Sequence, residues 1–334
     1  MSALPKFVPR TVFPKYNIPL ANFQGHHKVG LQRMYALAPQ VDLVLELRDA
    51  RAPLSTRNGL FDRVLGNKQK VILYTKNDLS AINSKIFDTW HPQIPYRQID
   101  CRSAKDAKSV LSMAKEIHDS MFPPPPLGIR LLITGMPNVG KSTFLNTLRK
   151  VGLKESNKVA ATGGMPGVTR SISNVIRISR EPDIFVYDSP GVFVPRTKDI
   201  ETMLSLCIIG AVNPTLVDPV IQADYLLYHL NLVYPDGKPY LKYTKEPTND
   251  IGQLLHAIAR KIKRVKKGGE IDDIGTAIHW VDRWRQGKEH KLLLDDTDPE
   301  AYDRTTEQEY QNLKNFKLDI QKNSKKGKKS KVIL

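Results

Sequence analysis

The run Gly135-Met136-Pro137-Asn138-Val139-Gly140-Lys141-Ser142 has the form G-x-x-x-x-G-K-[ST] and lies between an apolar run, Ile129 to Ile133, and a helical pattern from Thr143 to Val151. Residues of these types in this order bind phosphate. The glycines let the backbone N–H groups of Asn138, Val139, Gly140, Lys141, Ser142 and Thr143 curl around phosphate oxygens. The helix N-terminus adds its dipole, and Lys141 supplies a cation to the β- and γ-phosphates. The Ser142 hydroxyl is the expected ligand of Mg2+.

Downstream, Asp188-Ser189-Pro190-Gly191 closes the apolar run Ile184 to Tyr187. An acid at a strand end beside a phosphate loop holds Mg2+, and Asp188 is assigned that role. Gly191 can bring its N–H to a γ-phosphate because no side chain blocks the approach. The glycine-rich segment Thr162 to Arg170 separates the two motifs, and Thr169 is its expected switch residue, reaching Mg2+ through its hydroxyl.

Base selectivity is expected upstream, where Thr75-Lys76-Asn77-Asp78 follows the run Val71 to Tyr74. The Asp78 carboxylate can accept from guanine's ring N–H and exocyclic amine but would face a lone pair on adenine, so the nucleotide is GTP or GDP. The Lys76 stem can cover the ring face. The tetrapeptide resembles the [NT]-K-x-D motif of translation-factor-class GTPases, with Thr75 in place of the commoner Asn. Ser103-Ala104 resembles the loop that backs the base. Ordinary GTPases begin with the phosphate loop; here the base segment precedes it, which is a circular permutation.

These motifs need strand ends to carry them. Val41 to Leu47, Val71 to Tyr74 and Ile129 to Ile133 read as buried strands separated by helical patterns such as Ala104 to Met121, which Pro123 to Pro126 stop. Such alternation predicts an α/β fold with a mostly parallel sheet. Asn174 to Ile178 and Ile184 to Tyr187 read as an antiparallel pair at its edge. The expected domains are a basic N-terminal arm or targeting segment over 1–20, the permuted P-loop GTPase domain over 21–205, a C-terminal helical domain over 206–320, and a disordered basic tail over 321–334.

In the helical part, Ile251, Leu254, Leu255, Ile258, Ile262 and Val265 trace one apolar stripe and Ile274, Ala277, Ile278, Val281 and Trp284 a second. Arg260, Lys261, Lys263, Arg264, Lys266 and Lys267 crowd the first helix and are the expected RNA-binding residues. With 51 Lys and Arg against 34 Asp and Glu, the net charge of +17 favours a polyanionic partner. Cys101 and Cys207 are the only cysteines, so neither a disulfide framework nor a zinc cluster is indicated. No apolar run is long enough to cross a bilayer, which leaves only peripheral membrane contact. No acid precedes Asp42, which fits a mitochondrial targeting segment, whereas Pro5, Pro9, Pro14 and Pro19 fit an irregular arm.

The permuted order, with Arg48-Asp49-Ala50-Arg51-Ala52-Pro53 and Gly25-His26, resembles the YlqF/RbgA family of ribosome-assembly GTPases. Most similar is its mitochondrial branch, on Ala52 to Arg57, Thr134 to Ser142 and Gln222 to Tyr228. The resemblance implies that His26 acts in hydrolysis, because Val192 stands where Ras-like enzymes place a glutamine; the neighbouring His27 remains an alternative. It implies K+ at Asn138. It also implies a large ribosomal subunit and its rRNA as partners, in the mitochondrial matrix, free or peripheral on the inner membrane, with hydrolysis coupled to late subunit maturation and release. Asp49-Ala50-Arg51 marks the family and either takes part in catalysis or ties a strand end to the next loop by an ion pair. Two rival readings stay open: a GTPase of RNA modification or mitochondrial translation, and a GTP-binding RNA scaffold with little turnover.

Overall fold

The computed structural model describes residues 7–154, 175–266, 270–321 and 329–333, with side chains described as far as residue 318. The chain forms α1 (Gly25–Leu37), β1 (Leu43–Asp49), α2 (Leu60–Leu65), β2 (Gln69–Thr75), α3 (Lys85–Trp90), β3 (Tyr96–Gln98), α4 (Ala104–Ser120), β4 (Ile129–Gly135) and α5 (Lys141–Leu153). Next come β5 (Ile176–Arg180), β6 (Asp183–Asp188), α6 (Ile200–Ile209), α7 (Pro219–Val233), α8 (Ile251–Ile262), α9 (Asp273–Arg285), α10 (Ala301–Leu313), β7 (Lys317–Gln321) and β8 (Lys329–Ile333).

The main sheet has the order β3-β2-β1-β4-β6-β5 and is parallel except for β5, which runs antiparallel at the edge. Every residue of β1 is buried, as expected of a central strand covered on both faces. Its alternation sorts the core: Leu43, Leu45 and Leu47 face the layer that holds α4 and α5, while Val44 joins Leu31 and Met34 of α1 and Phe61 and Val64 of α2. Register places Asp49 opposite Thr75, Leu47 opposite Gly135 and Ile133 opposite Asp188. The carboxyl ends that carry the motifs therefore share one edge, where ligands bind in open α/β sheets.

Among the described residues the helical part has no separate core. Met203, Leu206, Leu227, Leu254, Ile258, Trp280 and Trp284 belong to the same apolar cluster as the sheet's α4–α5 face. The expected boundary at 205/206 falls inside α6, which is buried from Thr202 through Ile209. The α8 stripe holds for Leu254, Leu255 and Ile258, but the helix ends at Ile262 because Lys263 turns left-handed (φ 56°), which leaves Val265 exposed. On α9 the buried row is Ala277, Trp280, Val281 and Trp284, while Ile274 and Ile278 face solvent.

Residues from Phe7 to Leu20 are irregular, and they are strapped down. Phe13 is buried against Tyr225 and Tyr228, a burial that contributes about 2 kcal/mol. Arg10 pairs with Asp224 at 2.6 Å, and Thr11 O accepts from Tyr228 Oη at 3.1 Å.

The far C-terminal part departs from the helical domain expected over 206–320. It returns to the nucleotide-binding edge: Leu294 N donates to Arg51 O, Leu54 N and Ser55 N donate to the Asp295 carboxylate, and Gly59 N donates to Glu309 Oε1. Tyr302 of α10 stacks on Trp90 of α3. Where a disordered tail is expected over 321–334, β8 pairs antiparallel with β7; residues 322–328 lie outside the described residues.

Candidate nucleotide site

The phosphate loop leaves β4 at Gly135 and enters α5 at Lys141. Gly140 has φ 106°, and a Cβ there would stand 2.7 Å from Cys101 Sγ. A Cβ on Gly191 would stand 2.6 Å from Pro137 Cα, so the Asp188–Gly191 loop lies directly against the phosphate loop, and only glycine permits the approach. Lys141 is buried, with Nζ donating to Met136 O at 2.7 Å and Gly135 O at 3.2 Å. Burial lowers its pKa to about 8, against the pull of Asp188.

Ser142 Oγ donates to Asp188 Oδ2 at 3.1 Å. Asp188 Oδ1 is buried without a hydrogen-bond partner among the described residues. Burial raises the Asp188 pKa, with Lys141 and the Ser142 hydrogen bond opposing. A serine hydroxyl beside a buried, under-used carboxylate oxygen is the hard-oxygen pair that Mg2+ favours when substrate phosphates complete its shell. No group of three or more acidic, His or Cys side chains among the described residues could hold a metal without that help.

Thr75 is buried at the carboxyl end of β2. Its hydroxyl lies 2.7 Å from Val139 O and 3.1 Å from Arg48 O, tying the base segment to the phosphate loop and to β1. Lys76, left-handed at φ 55°, donates to Asn138 O and to Asp49 Oδ2, both at 2.8 Å. Asp78 is exposed. Ser103 caps α4 by accepting from Asp106 N, and Ala104 opens that helix. Cys101, which the motif reading overlooked, packs against Gly140 and accepts from Thr147 Oγ1 through its carbonyl, fixing the loop to α5.

The Asp49-Ala50-Arg51 segment is an ion-pair tie: Arg51 donates from Nε to Asp49 Oδ1 at 3.0 Å and from Nη2 to Oδ2 at 2.8 Å, with both residues buried. The two histidines part company. His27 is buried, its Nδ1 accepts from Gln24 N at 3.1 Å in the cap of α1, and burial and His26 lower its pKa to about 4. His26 is only half-buried. Helix α1 meets the Asp188–Gly191 loop at Gly30, where a Cβ would lie 3.0 Å from Pro190 Cγ. Asn138, also left-handed, donates from Nδ2 to Gly210 O at the end of α6. Asn58, also overlooked, donates from Nδ2 to Val192 O at 2.9 Å and so braces the loop just past Gly191. Asn58 belongs to no motif with a spacing that would single it out, and Cys101 stands two residues before the Ser103-Ala104 pair that carries the motif.

Arg260, Lys261, Lys263, Arg264 and Lys266 are all exposed at the C-terminal end of α8 and beyond it. Arg264 pairs with Asp272, and Lys261 Nζ donates to Lys242 O. Thr169 and Lys267 lie outside the described residues. No helix among the described residues is long and apolar enough to cross a membrane.

A mostly parallel sheet with a phosphate loop, a buried strand-end carboxylate and a Thr-Lys-x-Asp segment that comes first in the chain defines a circularly permuted P-loop GTPase. Comparison with known proteins narrows this class. Residues 130–265 match the family described as 50S ribosome-binding GTPase. Mitochondrial GTPase 1 of Saccharomyces cerevisiae is 37% identical over 96% of this chain and 91% of its own. Mitochondrial ribosome-associated GTPase 1 of Xenopus tropicalis is 32% identical over 82% of this chain and 93% of its own. Among solved structures, GNP-bound YlqF from T. maritima superposes with a TM-score of 0.51 at 20% identity, covering 79% of this chain and 98% of that one, a likeness of fold. The chain belongs to the mitochondrial GTPase 1 family and is a GTPase.

Proposed function

We propose that this GTPase works in mitochondria on precursors of the large ribosomal subunit and couples GTP hydrolysis to late maturation of the subunit and to its own release. The observation that carries the reading is the unbroken packing between the nucleotide edge and the exposed basic end of α8. Asn138 of the phosphate loop bonds the end of α6, and α6 shares its core with α8 and α9. The relatives' names supply mitochondria and the ribosome; the exposed Lys and Arg supply the means of holding rRNA phosphates. A matrix location, free or peripheral on the inner membrane, follows from that partner.

In this reading Thr75, Lys76 and Asp78 hold the guanine, with Ser103 and Ala104 backing it. Asn138 to Thr143 cradle the phosphates, and Lys141 stays charged while it bridges the β- and γ-phosphates. Ser142, Asp188 and Thr169 would hold Mg2+, which would neutralise phosphate charge when bound. Asn138 would be the K+ ligand. Gly191 N–H reads the γ-phosphate, and His26, the more open histidine on a helix that packs on that loop, orients the attacking water.

The test is GTP hydrolysis by wild type and His26→Ala, with and without large ribosomal subunits, in K+ and in Na+. Stimulation of the wild type by subunits and K+, with a variant that still binds GTP but responds poorly, is the expected result. Equal rates in both proteins without stimulation would overturn the histidine mechanism in favour of a scaffold with little turnover.

A further inference from the structure

Asp49 does more than pair with Arg51. Its buried carboxylate grips two cations at once, Arg51 from one side and Lys76 Nζ at 2.8 Å from the other. Burial alone would raise its pKa, yet the two cations hold it well below the usual carboxylate range. A charge so placed is retained only where its partners are fixed in geometry. Lys76 is the residue whose stem is read above as the wall of the guanine pocket, and its ammonium has just two acceptors among the bonds described, Asp49 Oδ2 and Asn138 O.

The backbone of the base segment is held without the carboxylate. Ala50 N donates to Thr75 O, Thr75 Oγ1 bonds Arg48 O and Val139 O, and Asp49 lies in ladder register with Thr75. What the carboxylate adds is therefore the direction of the Lys76 side chain. Arg51 fixes that carboxylate in turn: its guanidinium lies 4.9 Å from the Trp284 ring centroid and donates to Arg285 O, both at the end of α9.

We propose that Asp49 is a positioning residue of the guanine site, acting through Lys76 and held in place by Arg51 and the end of α9. This rests on the assignment of Thr75 to Asp78 as the base site. With Asp49 in place the Lys76 stem is ordered before the base arrives; without it, guanine binding must order a flexible side chain, which weakens affinity by roughly 3- to 10-fold.

The experiment is equilibrium binding of a fluorescent GDP to the full chain, as a cycle of wild type, Asp49→Asn, Lys76→Met and the double variant. Asp49→Asn should weaken GDP binding, with the loss falling in KM rather than kcat for GTP, and should cause no further loss in the Lys76→Met background. Equal losses in both backgrounds would show a general effect on the fold and overturn the proposal. So would a loss on Lys76→Met with none on Asp49→Asn, which would leave the base site standing. If Lys76→Met binds GDP like wild type, the base-site assignment fails and the proposal with it. Because Asp49→Asn strands the buried Arg51, the pair Asp49→Asn with Arg51→Met is measured alongside; the same GDP defect in that better-satisfied core is expected, and wild-type affinity would refute the role.

Discussion

In the proposed function the nucleotide edge and the basic end of α8 both meet phosphate, and they handle charge in opposite ways. At the edge, Asp49, Lys141 and Asp188 are buried and each has named partners. At α8, Arg260, Lys261, Lys263, Arg264 and Lys266 face solvent. A buried charge acts singly: removing it leaves a partner stranded and the loss is large. Exposed charges act together, each contributes little, and salt screens them.

The sharpest test of that contrast is Lys141→Ala. It removes a preorganised cation from a water-poor site, so GTP turnover should fall on the order of 100- to 1,000-fold, measured by phosphate release at saturating GTP. A loss below tenfold would place Lys141 with the exposed lysines. Asp78→Asn is next. It should move base preference from GTP toward XTP, whose C2 carbonyl, in place of guanine's exocyclic amine, can accept from the amide N–H, as read by competition binding; unchanged preference for GTP would remove the base assignment.

Asp188→Asn should separate function from stability. Burial raises the folded pKa of this acid above its unfolded value, so its ionised form weighs against the fold. The fold is favoured at low pH, and that advantage is lost as pH rises through the folded pKa. At neutral pH, without nucleotide or Mg2+, Asp188→Asn should melt above wild type while losing Mg2+-dependent hydrolysis. Two histidines act on the other side of the pH scale. His27 and His229 have pKa values lowered to about 4 by burial. Their contribution is present above about 6.5 and drains away as pH falls toward 4, because the unfolded chain takes up the protons first. Replacing His229 with Phe should flatten that acid limb in a melt series.

Much of the edge was legible in the sequence because its chemistry is local. A phosphate loop, an Asp-x-Pro-Gly and a Lys-x-Asp are contiguous, and apolar β-branched runs marked the strands beneath them. Contacts between distant residues left no such trace. Asp295 caps the N–H groups of Leu54 and Ser55 across about 240 positions, and Glu309 receives Gly59 N across 250, so the return of the C-terminal segment to the GTPase domain was invisible. On α9 two apolar rows compete, Ile274 with Ile278 and Trp280 with Trp284; the larger rings took the core and the isoleucines were left outside. The Asp49–Lys76 contact was hidden for another reason: each residue belongs to a recognisable motif, and nothing in either motif shows that the two side chains meet.

The smallest expected effects belong to α8, and their form matters more than their size. Arg260→Ala and Lys263→Ala remove exposed side chains that have no buried partner to strand, so each should change stability by no more than about 0.5 kcal/mol. Each should weaken binding to an rRNA fragment of any sequence and reduce the slope of log affinity against log salt by about 0.7 to 0.9 for every phosphate that is no longer neutralised. The two effects should add, as independent exposed charges do, which titrations at several KCl concentrations on the single and double variants can check. A sequence-dependent loss, or a double variant far worse than the sum, would mean that this surface is built like the nucleotide edge, with each charge held in one geometry for one partner.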